Sequence, residues 1–376
     1  IVHQEIETLT GDSVTLKCGV TLGRDMTIDS LFEEGFQAVF LAMGADKSWH
    51  LGLEGEHLDG IHSSMAFLKA FNLNGEELAH GRVAIIGGGN SAVDAARVAI
   101  RQKGVESVTL LYRRTCGEMP AYAEEVDAAI EEGIRLETLV SPVRIRYIDT
   151  AMKEGVQVET LVHPVKIYAQ DGQLSGIDCV RNTLGDIDAS GRGRPVPLPG
   201  TEFHLPLDTL IVAIGERPDS ECLAGMGINI EKDGRVAVDP DTLCTSRPGV
   251  FAGGDLATGP NTVVDAIAAG RKAAGIIDRY LRGADDLREP VHSNLPRGFL
   301  EPSAVEAGAA ETAERIEPPT IPLDARKDCF AEVEMAYDEA TARCEAHRCL
   351  RCDLRFTRMK DDVSSAACAG AERERV

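Results

Sequence analysis

Between Val83 and Arg97 the chain reads VAIIGGGNSAVDAAR: an apolar run breaks into three consecutive glycines and resumes as an alanine-rich segment of helical composition. That order predicts a buried strand, a tight turn and a helix start. Gly87 allows the turn, Gly89 leaves no side chain where a pyrophosphate would approach the backbone, and Ala92 lets helix and strand pack closely. The N–H groups around Gly88, Asn90 and Ser91 open the helix and carry partial positive charge suited to an anion. Taken alone, GGGN reads equally well as a mobile turn. The surrounding segments RVAIIGGG, NSAVDAARVAIRQKG and SVTLLYRR alternate strand, helix, strand, a βαβ unit that implies a parallel sheet.

The second strand of that unit ends at Tyr112, where a site selective for NADH would place an acidic residue on the ribose 2′-hydroxyl. Arg113 and Arg114 stand there instead. Two guanidinium groups match a 2′-phosphate, so the strand end is expected to select NADPH. The alternative is a solvated basic pair on a turn.

A second constellation lies nearer the carboxyl end. QAVFLA (37–42) and DTLIVAIGERPD (208–219) read as strands ending in AMG and AIG, and PGVFAGGD is a strand feeding the helix TVVDAIAAGRKAAGIIDRYL. Gly254 and Asp255 end that strand, and Asp255 is placed to accept hydrogen bonds from ribityl hydroxyls. The helix start at Thr262 and Val263 is expected to be uncapped, with its N–H groups facing a flavin carbonyl. The alternative is a glycine turn with Asp255 as a helix cap. SVTLKC (13–18) also reads as a strand, TIDSLFEEG as a short helix begun by Thr27 or Asp29, and AYAEEVDAAIEEG as a long helix.

A net charge of −22 over 376 residues argues against nucleic acid or an anionic membrane surface as a main partner. No apolar run approaches the roughly 20 residues that span a bilayer, and no basic-then-apolar signal opens the chain, so a cytoplasmic location is expected. Ten cysteines without a small disulfide-framework pattern agree with that compartment.

In combination, GGGNSAVDAAR, LLYRRT, EMPAYAEEVDAAIEEGI, AIGERPD and PGVFAGGDLATGPNTVVDAIAAGRKAA resemble the small subunit of glutamate synthase and its relatives among FAD-dependent pyridine nucleotide oxidoreductases. The resemblance covers roughly residues 1–285 and implies an α/β fold of two nested Rossmann-like domains. It divides the chain into a partial FAD domain (1–78), an NAD(P)H domain (79–204), a continued FAD domain (205–285) and an irregular or helical tail (286–376). AMGA and AIG fall at the two crossings, which adds Gly215 to the cofactor-contacting residues, and Asp94 falls where relatives place a carboxylate near the nicotinamide carboxamide. Asp94 reads equally well as a helix-surface acid. The implied activity is hydride transfer between NADPH and FAD, with electrons passed to iron–sulfur clusters or a partner subunit of a larger redox complex, or to small electron carriers. The rival reading is a non-catalytic scaffold subunit that holds no FAD.

Two departures from the resemblance matter. Family members begin with another strand, glycine turn and helix that hold the ADP half of FAD, whereas residues 1–45 resemble the later part of that domain. The resemblance therefore implies an amino-terminally truncated member, expected to bind FAD weakly by itself. Thioredoxin reductases carry a Cys-x-x-Cys shortly before the glycine turn, but Leu51 to Arg82 holds no cysteine, so dithiol chemistry is not expected.

The tail contains CEAHRCLRCDL, with Cys344, Cys349 and Cys352, and Cys329 and Cys368 lie on either side as candidate fourth ligands. Endings of this type occur in relatives inside larger complexes and make these cysteines candidate ligands of an iron–sulfur cluster of the 4Fe-4S kind. On an unbroken helix Cys349 and Cys352 lie about 140° and 80° around from Cys344, so convergence requires the helix to break. Zinc and free thiols are the alternatives.

Overall fold

The computed structural model describes residues 14–122, 161–188, 191–288, 315–322 and 329–347, with Ile6, Val126, Ile130, Glu132 and 134–139. Its strands are β1 (Val39–Leu41), β2 (Lys47–Ser48), β3 (Ile61–Ser63), β4 (Gly81–Ile86), β5 (Val105–Thr115), β6 (Arg135–Leu139), β7 (Val162–Gln170), β8 (Gln173–Ile187), β9 (Gly193–Pro197), β10 (Phe203–Pro206), β11 (Thr209–Val212), β12 (Glu216–Arg217) and β13 (Val250–Ala252). The helices are α1 (Ile28–Glu33), α2 (Ser64–Asn74), α3 (Asn90–Ala99), α4 (Asp255–Thr258), α5 (Val263–Leu281) and α6 (Glu339–His347).

The VAII run builds the centre of a five-stranded parallel sheet ordered β3-β11-β4-β5-β6. Successive strand side chains point to opposite faces, and both faces here are buried. Val83 and Ile85 meet Phe67 of α2 and the alanines of α3, while Ala84 and Ile86 meet Val162, Ile167 and Ile177 from the antiparallel strands β7 and β8. Ala92, Ala95, Ala96 and Ala99 recur on one helical face, so α3 lies close on the sheet. Glu132, fully buried, ties that helix down through Arg97 (2.9 Å) and Arg101 (2.7 Å). Burial alone would raise the Glu132 carboxyl, but the two guanidinium groups outweigh it and hold it below its ordinary range.

The sheet also takes in Ile61–Ser63 and Thr209–Val212, which lie on either side of residues 79–204 in the chain. Asp208 locks the entry of β11 to that of β4 through the Arg82 backbone N–H (2.8 Å) and guanidinium (2.9 Å). The strands β7 to β10 form a separate antiparallel sheet in the order β10-β8-β7, with β9 on β8.

Outside this body, β1 and β13 pair in parallel over a core of Ile28, Leu41, Leu223, Val250 and Leu256. Thr27 caps α1 in a reciprocal arrangement with Ser30. The two crossings between the bodies run side by side as the antiparallel ribbon β2–β12. Residues 14–18 form no strand: Val14 and Leu16 are exposed, and no neighbouring strand supplies a ladder among the described residues. The long helix expected at AYAEEVDAAIEEG lies largely outside the described residues.

The chain divides into two compact units, 1–290 and 291–376. In the second, Thr320 bridges Glu334 in antiparallel fashion, and the Ile316 N–H donates to the Glu345 carboxylate of α6 (2.7 Å). No helix among the described residues is long and apolar enough to cross a membrane.

Candidate functional site

The glycine turn sits at the carboxyl end of β4, and its three glycines do different work. Gly87 has φ +151°, and a Cβ there would lie 2.1 Å from the Ala213 carbonyl oxygen. A Cβ at Gly88 would enter the Tyr112 ring at 2.5 Å. Both are therefore demanded by the protein's own packing. Gly89 is different: a Cβ there would meet nothing nearer than the Pro120 ring at 3.9 Å, which leaves room over the helix start. Gly89 is the N-cap of α3, with no side chain capping it. The Asn90 side chain faces away from capping and accepts from the Tyr122 N–H (3.0 Å), while the Gly88 carbonyl accepts from Ala121 (3.1 Å), so the segment after β5 folds over the turn. Ala92 is fully buried, and Asp94, two residues on, is exposed.

The arginine pair is divided. Arg114 is buried, donating to the Asp188 carboxylate (2.5 Å) and to the Gly193 carbonyl (2.9 Å). Arg113 is exposed on the other side of β5. Only Arg113 presents its guanidinium outward; burial beside the strand, and then repulsion from Arg114, hold it somewhat below its ordinary range.

The second turn is built from β13. Gly254 has φ +62°, and a Cβ there would find nothing nearer than 3.8 Å. Asp255 accepts from the Asn261 N–H (3.2 Å) and so draws the 259–262 loop toward the start of α5. That start is not uncapped as the sequence suggested. The Thr262 hydroxyl oxygen accepts from the Asp265 N–H (3.2 Å) and donates its proton to the Asp265 carboxylate (2.5 Å). An N-cap of this kind satisfies the third N–H of the helix, which leaves those of Val263 and Val264. Val263 is 75% exposed.

Between the turns stands a residue that the motifs did not single out. Glu216, the first residue of β12, accepts a long hydrogen bond from the buried Ser64 hydroxyl (3.4 Å), and Ser91 beside the first turn also favours its charged form. Burial raises its carboxyl above the ordinary range, and the charge of Asp255 at the second turn adds to the rise. One carboxyl thus senses both turns. Its neighbour Gly215, φ +113°, accepts from the Trp49 N–H (3.1 Å) and fixes the crossing. The signal was available in AIGERPD: an acidic residue directly after a buried strand ends at the crevice where open parallel sheets bind ligands.

A family model described as pyridine nucleotide-disulphide oxidoreductase matches residues 2–270. The chain belongs to that family. The beta subunit of an NADP(+)-dependent formate dehydrogenase from Moorella thermoacetica is 40% identical over 362 residues, covering 94% of this chain and 47% of that one. The small chain of the NADPH glutamate synthase from Escherichia coli K12 is 34% identical over 296 residues, 75% of this chain and 58% of that one. The chain spans about half the length of the first of these relatives. Among solved structures, Mycobacterium tuberculosis FprA in complex with NADPH overlays with a TM-score of 0.58 at 18% identity, over 75% of this chain and 73% of that one, which shows a shared fold.

The family's name refers to disulphide chemistry, yet the described cysteines make no paired-thiol site. Cys179 is buried between strands, its thiol pushed up to about 12 by burial, and Cys222 is half-buried near Met43. In the tail, Cys344 is exposed on α6 and Cys329 is half-buried, while Cys349, Cys352 and Cys368 lie outside the described residues. Among the described residues no group of three or more His, Cys, Asp or Glu is disposed to hold a metal ion.

Proposed function

We propose that this chain is the nucleotide-handling part of an NADPH-dependent flavoprotein, moving hydride between NADPH and FAD and passing electrons to a partner subunit. The observation that carries the reading is the pair of glycine turns, each at the carboxyl end of a parallel strand, β4 and β13, with open space over Gly89 and Gly254. Two nucleotide-type turns on two parallel strand pairs of one chain suit two nucleotides.

The open positions support the fit. Room stands over Gly89 and Gly254, where a ligand would pass, whereas Gly87 and Gly88 are filled by protein. The first turn would hold the NADPH pyrophosphate on the N–H groups at Asn90 and Ser91, with Arg113 toward the 2′-phosphate. Asp255 would receive ribityl hydroxyls, and the N–H groups of Val263 and Val264 would face the flavin, where the helix dipole favours negative charge. Bound FAD would supply the step from two-electron to one-electron transfer. The protein's share is placement: rigid turns set the distance between the rings, and no side chain need donate a proton for hydride to pass.

Relatives named as subunits and small chains support a place in a larger complex, and the tail cysteines remain our candidate ligands for an iron–sulfur cluster within it. Purifying the intact protein and measuring flavin absorbance against protein concentration tests the reading. Near-equimolar FAD supports it; protein that neither retains nor takes up FAD, alone or with its partner subunits, contradicts it.

A further inference from the structure

The helix α5 carries apolar residues on two faces, and one of them is buried. On the inner face Ala273 and Ile276 pack against Phe251 of β13, with Tyr280 half-buried beside them, its ring edge-on to that of Phe251 at 5.4 Å between centroids. On the outer face Val264, Ile267, Arg271, Ala274, Asp278 and Leu281 are all exposed. Val264 is 74% exposed, Ile267 67% and Leu281 48%, on a face that a solvated helix ordinarily makes polar. These positions alternate in steps of three and four residues from one end of the helix to the other. That is the repeat by which one helix lies along another in a continuous seam.

The charges on the seam select what lies there and in which direction. Arg271 stands in its first half and Asp278 in its second, about two turns apart. Asp278 meets Arg282 of its own helix (3.0 Å), an exposed pair of little strength. A parallel copy of α5 would set Arg271 against Arg271 and Asp278 against Asp278, and would align the two helix dipoles. An antiparallel copy sets Val264 against Leu281 and Arg271 against Ala274, with Asp278 one turn further on. The small Ala274 and its neighbour Gly275 let the Arg271 stem cross the partner helix and its guanidinium reach that carboxylate. Twofold symmetry repeats the contact. We infer that the outer face of α5 is a homodimer seam, occupied by α5 of a second copy of this chain running antiparallel. Two reciprocal Arg271–Asp278 pairs fix the direction, and the apolar ends of the seam supply the burial. The pairing does not depend on which cofactors the glycine turns hold.

The test is sedimentation equilibrium of the intact protein across about a hundredfold range of concentration. The unaltered protein should pass from monomer to dimer. Arg271→Glu and Asp278→Arg each place like charges together at both symmetric contacts, so each alone should weaken the dimer about tenfold or more. Mixing the two single variants in equal amounts should restore association to within about threefold of the unaltered protein, because each then supplies the charge the other lacks. Thermal midpoints should be unchanged, since both side chains are exposed. A protein that stays monomeric throughout, whether its seam is bare or taken by a helix of another protein, overturns the inference. A dimer that neither single variant weakens, or that the mixture does not restore, is built on another surface and overturns it as well.

Discussion

The two glycine turns of this molecule look alike in sequence and are held by different means. Around Gly87–Gly89 the turn is packed from within: Ala213, Tyr112 and the buried alanine face of α3 leave two of its three glycines no alternative. Around Gly253–Asp255 the close packing stops at Gly253, where a Cβ would touch the Phe40 ring at 3.0 Å. From there Asp255 and Thr262 hold the loop with polar bonds, and the first two turns of α5 present Val263, Val264 and Ile267 to solvent. A glycine in the first turn is a packing requirement. A glycine in the second is a backbone requirement, set by the positive φ of Gly254.

The largest effect that sharpens this contrast is expected at Glu132, which underpins the first turn through α3. Glu132→Gln removes one partner from a buried pair and leaves two guanidinium groups facing an amide, a loss of about 3–5 kcal/mol in urea unfolding. The folded carboxyl is depressed, so its contribution is present above the unfolded pKa and is lost as pH falls through the lower folded value. The unaltered protein should therefore lose its advantage over Glu132→Gln only in acid, below the ordinary carboxylate range.

Next comes the pair Gly87→Ala and Gly254→Ala. The first drives a Cβ into backbone and should cost about 3 kcal/mol or more, whereas the second meets open space and should cost about 1–2 kcal/mol from its left-handed φ alone. Equal losses would erase the distinction between the turns.

The arginines divide in the same way. Arg113→Ala should raise the KM for NADPH and spare that for NADH, on the order of 1.5–3 kcal/mol for each lost bond to phosphate. Arg114→Ala should lower the thermal midpoint as well, because it removes the buried donor to Asp188 and to the Gly193 carbonyl at the β8–β9 turn. Identical behaviour of the two variants would contradict the structural division.

The smallest effect is at Glu216. Its folded carboxyl is raised, so its stabilising share is present below the unfolded pKa and lost as pH rises through the folded one. Glu216→Gln, which keeps hydrogen-bonding atoms without the charge, should be slightly more stable than the unaltered protein at neutral pH and no more stable in acid. A pH-independent difference would remove Glu216 from the junction.

Much of this was legible in the chain. Strand, turn and helix from Arg82 to Ala99 follow from local composition, since an apolar run ending in glycines before alanines has few other ways to fold. Three matters depended on distance in sequence. The arginine pair reads as two equal cations until β5 turns one toward Asp188, seventy-four residues on. β3 and β11 join the central sheet by pairing with residues far along the chain, so no local boundary marks them. Glu216 gains its meaning from Ser64, Ser91 and Asp255, none of them near it in sequence. The cap on α5 is the opposite case. Thr262 followed three residues later by Asp265 is a local signal, and the glycine-rich approach obscured it.

The central claim is that two turns on two sheets place NADPH against a flavin. Anaerobic mixing of the FAD-loaded intact protein with one equivalent of NADPH tests it most directly. The account predicts bleaching of the flavin band near completion, faster with NADPH than with NADH, and slowed with NADPH alone by Arg113→Ala. NADPH that binds tightly and leaves the flavin oxidised would contradict it.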